Sequence, residues 1–341
     1  MSQRPGSGVR GLVLGLALLG LITVAAVGAV QTDTFGAKER FAGLVTRVRM
    51  FVAPPVDRQI EDVITIVDDS SMPPDDPGTD AGASAAPDPT PRPTRRPVAD
   101  GDPVIAEESS APEADPTPDP TPAVTLPPRK PVDFKLKVAT ANRFVSQVDN
   151  TMCAPAGLQM VLAMYGAVDT TDATQKQIDH RLPEWESKQD AHVGGWGPAA
   201  MVSALAAYGV PGYQLRAYDS RAFALRDAAR IMTETQAPVI LIAWRGAHTW
   251  VMTGYRADAD PTIFKNATVT GTYIFDPWYP RISSIWGPSD GPGGFQDMSE
   301  MQRNFLPWQR PEGHYPPRDG KWIIVAPTIS MKDARAALDN G

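Results

Sequence analysis

Four residues of this sequence could together do covalent chemistry: Gln147, the single cysteine Cys153, His248 and Asp276. A thiol beside an imidazole can give up its proton and become a thiolate nucleophile, and a carboxylate on the second ring nitrogen holds the base in position. A side-chain amide six residues before the cysteine, together with the cysteine's own N–H, can donate to the oxyanion that such an attack creates. Taken singly, each residue has a plainer reading. A lone cysteine packs as a small hydrophobe, a histidine as a packed or surface polar group, and Asp276 before Pro277 as turn chemistry. Their order and their local settings make the combination more specific than its members. His180, His192 and His314 are widely spaced, there is no HExxH run, and one cysteine supplies neither a disulfide nor a cysteine-built zinc site. No metal or cofactor is expected.

The elements that must position these groups are legible from hydrophobic spacing. In the stretch 150–166, Leu158, Val161, Leu162 and Tyr165 fall at i, i+3, i+4 and i+7, the period of a buried helix face. Pro155 suits the first helical turn and Gly166 ends it. Cys153 therefore lands at the helix N-terminus, where unpaired N–H groups and the helix dipole favour a thiolate. Further helices are predicted from Pro198 to Gly209 and from Arg221 to Thr235. Short apolar runs at 238–244, 248–256, 271–276 and 321–327 read as strands. His248 opens one of them and Asp276 closes the next. Helices followed by strands predict an α+β domain with a largely antiparallel sheet. The glycine-rich stretch His192–Gly197 either lines a cleft or simply leads into the Pro198 helix, and the aromatics from Trp278 to Trp308 either pack the core or wall a binding surface.

These segments resemble the double-glycine (bacteriocin-leader) peptidase-like proteins, family thirty-nine of the cysteine peptidases, within the papain-like superfamily. The resemblance rests on Gln147-x5-Cys153 at a helix start, the helix end Tyr165-Gly166, GAHTWVMTGY around His248 and YIFDPWYP around Asp276. It covers about residues 132–327. It implies a papain-like fold, with N-terminal helices packed on the sheet. It also implies that Cys153 is the nucleophile, His248 the general base and then acid, Asp276 the orienting residue and Gln147 the oxyanion donor. Ala154 stands where the family usually has glycine, and alanine precedes His248 where a second glycine is common. There is no Walker-type P-loop, so the export-coupled activity of the founding members is not implied.

Composition divides the chain. All 8 tryptophans and all 8 tyrosines follow residue 131, and aromatics carry much of a core's burial energy. Residues 1–131 hold 12 basic and 18 acidic side chains, leaving 20 and 21 for the rest, so nearly all of the net charge of −7 precedes residue 132. The near-neutral remainder has no basic stripe, and nucleic acid is not an expected partner. Residues 11–30 are uncharged and long enough to cross a bilayer as a helix after the short tail 1–10. A single-pass membrane protein with an extracytoplasmic C-terminal domain is the expectation, with secretion after signal cleavage as the alternative. Residues 31–72 read as a juxtamembrane segment, with Phe41, Leu44, Val45, Val48 and Phe51 at roughly helical spacing. In residues 73–131, 17 of 59 positions are proline, which predicts a disordered, extended linker. The folded domain is expected at 132–341. The expected activity is thiol-dependent amide hydrolysis on a peptide or peptidoglycan-type substrate, with no protein partner identified. A catalytically inactive peptide- or cell-wall-binding module of the same fold, and a cell-wall amidase or endopeptidase, are the alternatives.

Overall fold

The computed structural model describes residues 64–66, 126–191, 195–310 and 314–340. The chain divides into two units, residues 1–72 with 129–341, and residues 73–128. Of the second unit only 126–128 are described, and the expected membrane span at 11–30 lies outside the described residues. Among the described residues, no helix is long and apolar enough to cross a membrane.

In chain order the first unit contains strands β1 (Ile64–Ile66) and β2 (Val132–Lys135), then helices α1 (Cys153–Tyr165), α2 (Asp172–His180) and α3 (Pro198–Ala207). Strand β3 (Tyr213–Tyr218), helix α4 (Arg221–Thr235) and strands β4 (Val239–Ala243), β5 (His248–Ala257) and β6 (Val269–Phe275) follow. A two-stranded hairpin, β7 (Ile282–Ser283) with β8 (Gly287–Pro288), then β9 (Gly294–Asp297), α5 (Met298–Asn304), β10 (Trp322–Pro327) and α6 (Met331–Asp339) come next among the described residues. The main sheet runs β1-β3-β10-β4-β5-β6-β9, with β2 beside the far half of β5. All its pairings are antiparallel except β1 with β3. The fold class is α+β, as expected.

The sheet is covered on both faces. Ile240 and Ile242 of β4 point to one hydrophobic layer, with Leu158 and Leu162 of α1 and Met201 and Leu205 of α3. Val239, Leu241 and Ala243 point to the other, with Leu225 and Met232 of α4 and Phe305 just after α5. This explains why the β4 sequence VILIA is apolar at every position: side chains alternate across a strand, and both sides of this one are dry.

Three strands, β1, β2 and β3, depart from the expected order. β3 interrupts the helices-then-strands sequence, although Tyr213, Leu215 and Ala217 alternate with the less buried Gln214 and Arg216. β1 lies within the stretch 31–72 that reads as juxtamembrane, and pairs in parallel with β3 from Ile64↔Leu215 to Ile66↔Ala217. Order on the other side begins slightly before residue 132. Arg129 donates to Asn266 Oδ1 at 2.8 Å and Asp258 Oδ2 at 2.7 Å, and covers the Phe264 ring.

Candidate active site

The helix that carries Cys153 and the strand that carries His248 touch through a glycine. Gly157 lies one turn after Cys153, on the same helical face. A Cβ there would sit 2.6 Å from Thr249 Cγ2, on the residue next to His248. Glycine inside a helix costs about 0.5–1 kcal/mol relative to alanine. Here its missing side chain permits the close approach that brings the start of α1 against the start of β5. Cys153 is the first residue of α1, its N-cap Met152 supplies no side-chain cap, and no acidic residue occupies the first turn. The positive end of this helix therefore favours the thiolate.

His248 is set by the turn before it. Ala243 and His248 are the last register pair of β4 and β5. Between them Trp244, Arg245 and Gly246 have φ of 51°, 59° and 93°. Left-handed backbone costs L-residues roughly 1–2 kcal/mol each, so this turn is strained at two positions directly before the imidazole. His248 is 3% exposed and Asp276 5%. His248 Nε2 and Asp276 Oδ1 are 2.7 Å apart. The same carboxylate oxygen accepts the Trp278 backbone N–H at 2.8 Å. With Nε2 taken by the carboxylate, Nδ1 is the nitrogen left for the sulfur.

The thiol lies 3.9 Å from the carbonyl of Ala247, the residue before His248, and thiol and imidazole shift each other's pKa. Burial alone would raise the Cys153 pKa, but the hydrogen bond and charge of His248, aided by Thr249, outweigh it and bring it below the usual 9.0. Burial alone would lower the His248 pKa; the Asp276 charge and hydrogen bond, with Cys153, outweigh it and raise it to about 9. Both directions favour a thiolate–imidazolium pair. Cys153 as a residue keeps partial exposure.

Gln147 is 2% exposed and is held by its neighbours. Its backbone N–H donates to Pro277 O at 2.8 Å, next to Asp276. Its Nε2 donates to Asp149 O at 2.6 Å, which leaves one amide hydrogen uncommitted by that bond. Arg281 fixes the same loop by donating to Val148 O and Asp149 O. A buried amide relay supports it from below. Gln159 of α1 donates to Asp169 O and Thr171 O. Gln175 of α2 donates to Gln159 Oε1 and Ser146 O, and accepts from Val148 N at 2.7 Å. The structure thus brings all four sequence-predicted residues into one region tied by α1, β5 and the segment after β6.

Sequence reasoning missed Thr249, Gly157, Gln159 and Gln175, whose roles depend on which elements touch. The one available signal was polarity out of place, since Gln159 interrupts an apolar helix. The aromatic stretch from Trp278 to Trp308 divides: Trp278 and Trp286 gather near His248, whereas Trp308 packs on Tyr315 at 5.5 Å. Of the glycine-rich stretch 192–197, residues 192–194 lie outside the described residues. Trp196 donates to Asp179 Oδ1 at 2.9 Å and packs on Trp185. Among the described residues, no group of three or more His, Cys, Asp or Glu side chains could hold a metal ion.

Residues 140–292 match the Peptidase_C39 like family. The matched stretch contains Gln147, Cys153, His248 and Asp276. No curated protein matches the chain. Among solved structures it is similar to a double glycine motif protease from an AMS/PCAT transporter, crystallised in complex with the leader peptide. That similarity has 19% identity, covers 54% of this chain and 91% of that one, and has a TM-score of 0.27.

Proposed function

We propose that this peptidase-like domain is a thiol-dependent amide hydrolase with Cys153 as nucleophile, His248 as base and acid, Asp276 as orienting carboxylate and Gln147 as oxyanion donor. The observation that carries the reading is the buried 2.7 Å contact of His248 Nε2 with Asp276 beside a thiol whose pKa the same imidazole lowers. The Cys153 thiolate adds to the amide carbonyl carbon. The second Gln147 amide hydrogen and the Cys153 N–H receive the oxyanion, each such donor being worth roughly 3–4 kcal/mol in comparable sites. The imidazolium gives its proton to the leaving nitrogen as the C–N bond breaks, leaving a thioester. Water then adds with His248 taking its proton, and the C–S bond breaks to release the acid and regenerate the thiol. The family match supports a peptide as the substrate class. A single-pass anchor at residues 11–30, with the domain outside the cytoplasm, is part of the same proposal and rests on the sequence alone.

The test is hydrolysis of a peptide library by the full chain, read as newly released amines. Wild type is expected to cleave and Cys153→Ala to lose at least about 1,000-fold in kcat, as enzymes lacking their nucleophile do. Equal cleavage by Cys153→Ala would overturn the reading. Thiol-dependent release from purified cell wall instead of peptides would favour the amidase. Absence of any thiol-dependent release would favour the binding module.

A further inference from the structure

The imidazole of His248 is stacked as well as hydrogen-bonded. Trp244 lies flat on it, with ring centroids 3.9 Å apart and planes 17° from parallel. Trp286 stacks behind Trp244 at 5.8 Å and 9°. Trp278 stands edge-on to both rings, at 6.0 Å from Trp244 and 6.4 Å from His248. The indole of Trp244 is itself held in place, since its Nε1–H donates to Asn304 Oδ1 at 3.1 Å and Asn304 donates on to Glu300 O.

Filling a core does not require this arrangement. Trp244 adopts a positive φ and is followed by two more such residues, a conformation that bulky L-residues adopt only when something over-determines it. The turn swings the indole onto the face of the residue four positions later. An aromatic face is negative at its centre and attracts a cation above it. The imidazole is the one ring here that can become a cation.

We infer that Trp244 is a positioning residue of this site: backed by Trp286 and fixed by Asn304, it clamps the His248 ring face-on and favours its protonated form over the neutral one. The inference rests on the hydrolase reading above, in which that protonated ring pairs with the thiolate. The titratable groups acting on the ring from other elements are Asp276, just past the end of β6, and Cys153 at the start of α1. Arg245, in the turn itself, is engaged by Gln309. The flat stack therefore adds a contribution that neither partner supplies, and it also blocks rotation of the ring away from the sulfur.

The test is the pH profile of Cys153 alkylation by a neutral haloacetamide, measured for wild type, Trp244→Phe and Trp244→Leu. Wild type is expected to have two inflections, an acid one for the thiol and a basic one for His248. Trp244→Leu should lower the basic inflection by roughly one pH unit, a tenfold change in the imidazolium acid constant, while Trp244→Phe, which keeps an aromatic face, should retain most of it. An unchanged basic inflection in Trp244→Leu, or an equal fall in both variants, would overturn the positioning role while leaving the hydrolase reading intact. A single wild-type inflection at the ordinary thiol value would instead overturn the hydrolase reading. Should Trp244→Leu fail to fold, tryptophan fluorescence decides. Emission should rise in wild type as His248 loses its proton, and the step should be clearly smaller in Trp244→Phe; equal steps would overturn the inference.

Discussion

Asp190 and Asp276 are both nearly inaccessible, at 1% and 5% exposed, and each lies 2.7 Å from a nitrogen base. Their surroundings differ in a way that separates framework from chemistry. Asp190 accepts the Ala199 and Ala200 N–H groups at 3.0 and 2.7 Å and so caps α3, whose own N-cap residue Gly197 provides no side chain. Its partner Arg318 also donates to the Asp190 carbonyl and is flanked by Trp308 and Tyr315. Arginine cannot be deprotonated in a protein, so Arg318 has no proton to give up. Asp276 instead holds a ring that titrates and that lowers the pKa of the Cys153 thiol. Buried pairs of similar length thus do different jobs. One is closed on every side, and the other leaves a proton to be moved.

Breaking the closed pair should have the larger effect on stability. Asp190→Ala strands a buried guanidinium and uncaps α3, and is expected to cost about 3–5 kcal/mol in urea unfolding. The thiol reactivity per folded molecule should stay at the wild-type level. A stable variant with slowed alkylation would reverse the assignment of the two pairs. A smaller effect is expected at the helix–strand contact. Gly157→Ala places a methyl against Thr249 and should cost about 1–3 kcal/mol of overpacking. It should also raise the Cys153 pKa as α1 is levered away from β5. Unchanged unfolding together with an unchanged thiol titration would mean that this contact does not set the site.

Much of this was readable in the sequence, for a physical reason. Cys153 at a helix start follows from the spacing of Leu158, Val161, Leu162 and Tyr165 with Pro155 in the first turn. The strand bearing His248 follows from a run of apolar residues. Those are local signals. What escaped depends on how elements meet. Gly157 reads as an ordinary helix glycine until Thr249 is opposite it. Gln159 and Gln175 read as stray polar residues until their amides join. Trp244 ends an apolar strand and gives no hint that three positive φ values will lay it on His248. β1 escaped because three residues are too short a run for a two-residue period to stand out, and β3, its neighbour among the described residues, is about 150 residues away.

The opposed shifts of Cys153 and His248 define a pH window. The raised His248 pKa contributes stability that is complete below the ordinary value of 6.5 and is lost as pH climbs through about 9. The lowered Cys153 pKa contributes stability that is present above the ordinary value of 9.0 and lost as pH falls through the lowered one. The charged pair is populated between the lowered thiol value and about 9, and hydrolysis should trace a bell within those limits.

The most direct measurement is the ultraviolet absorbance of the Cys153 thiolate as a function of pH, for wild type, His248→Ala and Asp276→Asn. Wild type should already absorb as thiolate below pH 9.0, the value of an ordinary thiol. Removing the imidazole should return the transition to that value or above it, and neutralising Asp276 should move it part of the way. A wild-type transition at 9.0 or higher, or one indifferent to His248→Ala, would contradict the account at its centre.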